Sequence, residues 1–141
     1  MTIHRDAPLT KRILLVDDER LVREMIRLLL RQDGYTVVEA NNGAEALGLF
    51  TRSQFDLVVT DYEMPFVKGN ELAARIKQLA PCQPILMITG YRHESGPNNP
   101  VDAILTKPFH IASLNGAMAE ALGKLVPDAT VTPALDTAQL N

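Results

Sequence analysis

The sequence has one cysteine, Cys82, and no tryptophan. A lone cysteine excludes an internal disulfide and suits a reducing cytoplasm, which is the expected location. No apolar run approaches the roughly 18 residues needed to cross a bilayer, so no membrane contact is expected. Residues 1–10 carry His4, Arg5, Asp6 and Pro8 but no apolar stretch, so no secretory signal is expected there. Basic residues are not in excess: 14 Lys and Arg stand against 17 Asp and Glu, for a net charge of −3. The concentrated basic face of a dedicated nucleic-acid binder is missing, and direct DNA binding is not expected. What is present is a chain of 141 residues, 46% apolar, enough for one core without metal or disulfide support. The expected organisation is a tail over residues 1–10, one domain over 11–126 and a flexible tail over 127–141. In that last segment Pro127 and Pro133 interrupt a stretch with no apolar stripe.

Short apolar runs alternate with helix-like segments. The runs are Ile13–Val16, Tyr35–Ala40, Asp56–Thr60, Pro84–Thr89 and Ala103–Thr106. Runs this short and uniformly apolar suit strands buried on both faces, as in a parallel sheet. The flanking Asp33-Gly34, Asn41-Asn42-Gly43 and Pro81 favour strands over buried helix. Between the runs, Arg20–Arg31 reads as a helix with Leu21, Val22, Met25, Ile26, Leu28 and Leu29 as a wide inward stripe and arginines opposite. A second helix is expected over Gly43–Thr51, with Ala46, Leu47 and Phe50 inward. A third starts at Asn70 as N-cap and runs to Leu79, with Leu72, Ile76 and Leu79 inward. The last covers Ile111–Leu125, with Leu114, Met118, Ala121, Leu122 and Leu125 inward. Strands alternating with helices give an α/β, doubly wound parallel sheet with right-handed crossovers.

Ligand sites in such sheets lie at the carboxyl ends of the strands. The first strand ends in Asp17-Asp18-Glu19, the third in Thr60-Asp61, the fourth in Thr89-Gly90 and the fifth in Thr106-Lys107-Pro108. Carboxylates crowded in one cleft repel one another, and a hard divalent cation relieves that repulsion. Oxygen ligands with room for water suit Mg²⁺. The compact ammonium of Lys107 and the hydroxyl of Thr89 suit phosphoryl oxygens. Asp61, central in the sheet, is then the expected nucleophile of a phosphoryl transfer, a reaction that asks for an in-line carboxylate and neutralised charge.

The runs Leu14–Glu19, Asp56–Pro65, Gly69, Ile85–Gly90 and Leu105–Phe109, taken together and in this order, resemble the receiver domain of two-component response regulators. The resemblance covers about Lys11 to Leu125. It implies a flavodoxin-like, five-stranded fold of strand order 2-1-3-4-5. It implies Asp61 as phosphoacceptor, Asp18 as a direct Mg²⁺ ligand, Asp17 acting on the metal through water, and the backbone carbonyl of Glu63 as a further ligand. Thr89 and Lys107 would bind the phosphoryl group, and a cis bond is associated with Lys107–Pro108. It further implies a signalling protein, not an enzyme. The donor would be a sensor histidine kinase or phosphotransfer protein, which the first helix contacts in this family, and an unknown downstream protein would receive the signal.

The chain also departs from the family pattern. Three residues before the lysine stands Ile104, where the family often has Tyr or Phe, so aromatic coupling to Thr89 is in doubt. Glu63 and Tyr91 occupy positions that the resemblance links to water access, and Tyr91 is expected to slow loss of the phosphoryl group. The segment from Thr89 to Lys107 is shorter than is common, and Gly96, Pro97 and Pro100 oppose helix. The family's fourth helix is therefore expected to be short or absent, with at most one turn near Arg92–Ser95. His93 is expected to be exposed, His110 to sit in a loop or at a helix start and Cys82 in a loop.

Other functions fit less well. A phosphorylation-independent interaction module of the same fold would not require the complete acidic and lysine set. A hydrolase of the dehalogenase type needs a second aspartate and a threonine that Asp61-Tyr62-Glu63 lacks. A flavin site would want a phosphate-cradling first loop, where Asp17 and Asp18 would instead repel phosphate. There is no room for a helix-turn-helix after Leu125, so the chain is expected to be a stand-alone regulator or the receiver of a larger protein.

Overall fold

The computed structural model describes residues 10–90 and 100–123. Within them the chain forms β1 (Arg12–Val16), α1 (Arg20–Gln32), β2 (Thr36–Ala40), α2 (Gly43–Arg52), β3 (Leu57–Asp61), α3 (Gly69–Leu79), β4 (Ile85–Thr89), β5 (Ala103–Thr106) and α4 (Ile111–Gly123). The strands form one parallel sheet in the order β2-β1-β3-β4-β5, as expected. The expected tails fall outside the described residues, apart from Thr10. So does the segment 91–99, where the family's fourth helix was expected to be short or absent, and with it His93.

Side-chain alternation along the strands makes two cores. Ile13 and Leu15 of β1 pack with Leu57, Val59, Leu86, Ile88 and Leu105 on one face, covered by Ile26 and Leu30 of α1 and Leu114, Met118 and Ala121 of α4. Leu14 and Val16 pack with Val58 and Ile85 on the other face, covered by Ala46 of α2 and Leu72, Ala73 and Ile76 of α3. The central strands β3 and β4 are buried along their whole length, which is why their sequences show no polar alternation.

Three packing expectations need correction. The α1 stripe is narrower than expected: Ile26 and Leu30 are buried, whereas Leu21, Met25 and Leu28 are exposed. Helices α1 and α4 share their face of a five-stranded sheet, and α1 has enough buried contact with its Val22–Ile26–Leu29–Leu30 side alone. Leu79, in the last residue of α3, is exposed, and Ala73 takes the inward place. Helix α3 starts one residue before Asn70, with Lys68 as N-cap. The chain is tied there by two bonds, Gly69 N–H to the Tyr62 carbonyl at 3.0 Å and Lys68 N–H to Glu71 Oε1 at 3.1 Å.

Candidate phosphoacceptor and metal site

The β1–α1 loop begins where β1 leaves the sheet. The Asp17 N–H still bonds the Ala40 carbonyl at 3.2 Å, and Asp17 Oδ1 accepts from the Glu19 N–H at 2.9 Å. This local turn, typical of aspartate, fixes one carboxylate oxygen and starts α1. Asp17 is almost fully buried, and Asp18 beside it is half-buried.

Asp61 is the last residue of β3 and is only 4% exposed. The turn that follows returns tightly, because Gly69 lies against the Asp61–Tyr62 backbone. A Cβ at Gly69 would collide with the Asp61 carbonyl oxygen. On the far side, the Tyr62 N–H bonds the Ile88 carbonyl at 2.8 Å and holds the β3 end to β4. Thr89 ends β4, is fully buried and lies opposite Thr106 in the register. The Lys107 N–H bonds the Thr89 carbonyl at 2.8 Å, so the lysine emerges beside Thr89. The Lys107–Pro108 peptide is cis.

These elements bring one carboxylate oxygen from each of Asp17, Asp18 and Asp61 within 4.8 Å of one another. Lys107 Nζ lies 3.1 Å from Asp61 Oδ1. That oxygen is buried, and the Lys107 ammonium faces it. Burial first, and then the Asp17 charge, push the Asp61 carboxyl up to about 6 against the pull of Lys107. Burial likewise raises Asp17. Burial alone would lower Lys107, but the facing carboxylates, Asp61 foremost, outweigh it and hold the ammonium above its ordinary range.

The set fits Mg²⁺. Octahedral ligands at about 2.0–2.1 Å lie within about 4.2 Å of one another, so three carboxylates already this close need draw in only slightly. All the donors are hard oxygens, and the crowded charge has one nearby cation, Lys107, to offset it among the described residues. Glu63 does not join through its side chain. That carboxylate is exposed and faces Lys68 Nζ at 3.7 Å.

Of the residues expected from sequence, Asp17, Asp18, Asp61 and Lys107 meet at one sheet edge, and Thr89 lies beside Lys107 through the β4–β5 register. Ile104, at the position where an aromatic residue is common, is half-buried and pairs with Met87. Tyr91 lies outside the described residues. His110 is exposed at the start of α4, where its carbonyl accepts from Leu114, and Cys82 is exposed in the turn before β4.

Two features were missed. One is a cleft of about 470 Å³ next to Lys107, lined by Glu19, Val22, Met25, Lys107, Pro108 and Phe109. Its sequence signal was the apolar pair Pro108-Phe109 directly after the lysine. The other is Arg23, grouped in sequence with the solvated arginines of α1, whose side chain reaches back to the Asp17 carbonyl.

A family model of the response regulator receiver domain matches residues 13–119. The response regulator MprA of Mycobacterium sp. (strain KMS) is 37% identical over 83% of this chain and 53% of its own length. The autoinducer 1 sensor kinase/phosphatase LuxN of Vibrio harveyi is 33% identical over 79% of this chain and 14% of its own length. The chain thus spans about half, or much less, of these curated relatives. Among solved structures, the response regulator TrrA of Thermotoga maritima in complex with Mg²⁺-BeF superposes with a TM-score of 0.76 at 35% identity, covering 80% of this chain and all of that one. No helix among the described residues is long and apolar enough to cross a membrane.

Proposed function

This chain belongs to the response regulator receiver domain family, and from that membership we propose that it takes a phosphoryl group onto Asp61 and signals by changing what it binds. The observation that carries the proposal is the convergence of the Asp17, Asp18 and Asp61 oxygens with Lys107 3.1 Å from Asp61. An Asp61 carboxylate oxygen forms a bond to phosphorus as the bond between phosphorus and the donor's histidine nitrogen breaks. The electron pair leaves with the imidazole. Lys107 offsets charge on the phosphoryl oxygens, and Thr89 donates a hydrogen bond to one of them. Asp18, Asp61 and the Glu63 carbonyl would hold Mg²⁺, with Asp17 acting through water. The ion supplies charge neutralisation to the carboxylates and the transferred group.

The donor is a sensor histidine kinase or a phosphotransfer protein. On α1, Leu21, Met25 and Leu28 are 78%, 49% and 56% exposed. Their spacing puts them on one stripe, and Met25 also lines the cleft beside Lys107. A donor that delivers its histidine to Asp61 must cover this sheet edge, and this stripe is an exposed apolar surface that reaches the cleft beside Lys107. The partner that reads the phosphorylated state is a further protein, not DNA.

The test is incubation with acetyl phosphate and Mg²⁺ followed by intact-mass and peptide mapping. One phosphoryl group on Asp61, lost in Asp61→Asn, is expected. Undiminished labelling in Asp61→Asn would refute the assignment.

A further inference from the structure

We infer that Arg23 is a positioning residue for the metal-holding loop, acting through the Asp17 backbone and not through charge on the carboxylates. The inference rests on the reading of Asp17, Asp18 and Asp61 as a Mg²⁺ set. Arg23 Nη1 donates to the Asp17 carbonyl at 2.7 Å and is within 3.1 Å of Asn41 Oδ1. Its Nε donates to Glu39 Oε1 at 2.8 Å. One guanidinium thus joins α1, the end of β2 and the loop that carries the acidic pair.

The carbonyl it grips belongs to the Asp17–Asp18 peptide. That peptide is planar, so fixing its oxygen fixes the direction in which Asp18 leaves the chain. The other side of Asp17 is fixed as well, by its N–H on Ala40 and by its Oδ1 on Glu19. Without Arg23, the Asp17 N–H and side chain remain anchored while the peptide leading to Asp18 is free to turn.

The rigid fork of arginine suits this task. It reaches acceptors from three residues at once, which a lysine ammonium on a flexible stem does not do with the same geometry. The Arg23 charge is largely spent on Glu39, whose second oxygen lies 3.0 Å from Arg27 Nε. Its influence on the site therefore runs through geometry. Groups that orient metal ligands in this way contribute roughly 10- to 100-fold in metal affinity.

Arg27 provides the control, because it shares Glu39 but does not touch the loop. The experiment compares parent, Arg23→Ala, Arg23→Lys and Arg27→Ala by Mg²⁺ titration followed through amide NMR shifts, with urea unfolding in parallel. Arg23→Ala should bind Mg²⁺ about 10- to 100-fold more weakly, and Arg23→Lys should fall between it and the parent. Arg27→Ala should lose stability yet keep the parent's Mg²⁺ affinity. If Arg23→Ala does not fold, the Arg23→Lys and Arg27→Ala comparison decides alone. Parent-like Mg²⁺ affinity in the folded Arg23 variants, or an equal loss in Arg27→Ala, overturns the inference. A parent that binds no Mg²⁺ overturns the metal reading beneath it as well.

Discussion

Lys107 Nζ stands 3.1 Å from Asp61 Oδ1, in a contact where the carboxylate is 4% exposed and the lysine side chain 31%. The ammonium therefore reaches in from a partly wet position to a group that has left water. It does not fully repay the burial of Asp61, whose carboxyl remains at about 6. Under the proposed function the cation would have two opposed roles: it would repel Mg²⁺ from the acidic cluster and attract phosphoryl oxygens to it.

Replacing Lys107 by alanine should separate these roles. Mg²⁺ should bind several-fold more tightly, since about 1 kcal/mol of repulsion between partly screened charges is removed. Labelling of Asp61 by acetyl phosphate should slow by roughly 10²-fold, the usual cost of losing one electrostatic stabiliser of the transition state. Calorimetric Mg²⁺ titration and timed mass spectrometry measure the two effects. Weakening of both would show that Lys107 acts mainly by holding the fold of the site.

The metal-free protein should become more stable as pH falls from 7 towards 4. Asp61 has a folded-state value of about 6 against an ordinary value of 3.8. Between those values the folded state holds a proton that the unfolded state has released, so stability drops as pH rises through that window. The penalty is complete above about pH 6, and its size is at most about 3 kcal/mol. Asp17, also raised by burial, acts in the same direction. Asp61→Asn should stabilise the protein at pH 7 and flatten this slope. Urea midpoints at about pH 4.5, 6 and 7.5 without divalent ions would test this, since these points bracket the window. An unchanged midpoint at pH 7.5 in Asp61→Asn would contradict it.

Gly69→Ala should cost about 3 kcal/mol, because the new methyl group meets backbone, which cannot rotate away. The atoms in its path are the Asp61 carbonyl and the Tyr62 Cα. The same push displaces Asp61, so Mg²⁺ affinity should fall along with stability. Gly48→Ala is the control, since its nearest neighbour is the flexible end of Arg52 at 3.6 Å.

Much of this architecture was legible because the relevant signals are local. Uniformly apolar runs named the buried strands, and acids, threonine and lysine at their ends named the sheet edge. The packing of α1 was not legible. A helix with apolar residues around more than half of its circumference does not say which of them the sheet will cover. Leu21, Met25 and Leu28 are as apolar as Ile26 and Leu30, and only the position of the sheet separates them. Arg23 was hidden for a related reason. Three arginines recur on α1 at intervals of four (Arg23, Arg27, Arg31), and which one turns towards Asp17 depends on contacts with β2, which is distant in sequence. The start of α3 moved from Asn70 to Gly69 because a tertiary bond from Gly69 to Tyr62 prevailed over the capping preference of asparagine.

Phe66 has φ of 71° and is 96% exposed. A side chain in the left-handed region costs roughly 1–2 kcal/mol, and this ring buries too little to offset that. Phe66→Asn, a residue that tolerates this conformation, should raise stability by about 0.5–1 kcal/mol. Phe66→Ala should leave it nearly unchanged. A urea midpoint that drops in Phe66→Asn would show that the ring contributes packing.

Under the proposed function, the exposed stripe of α1 should separate docking from chemistry. Met25 is half-exposed and lines the cleft beside Lys107, while Leu21 and Leu28 continue the stripe about one turn to either side of it. None of the three is among the buried core residues, so charge at these positions disturbs the fold little, within about 0.5 kcal/mol as for ordinary surface substitutions. A small donor such as acetyl phosphate needs only Asp61, Lys107 and the metal set. A protein donor must also place its own surface on this edge, and an apolar contact of this size loses roughly 1–3 kcal/mol when a charge enters its centre. Met25→Glu and Leu21→Glu should therefore leave labelling by acetyl phosphate at the parent rate. Transfer from a phosphorylated histidine protein should slow by about tenfold or more, since about 1.4 kcal/mol corresponds to a factor of ten. Leu79→Glu, exposed at the end of α3, is the matched control and should affect neither. Equal slowing with both donors would place Met25 in the chemistry of the site. Unchanged transfer from the protein donor would move the docking surface off α1.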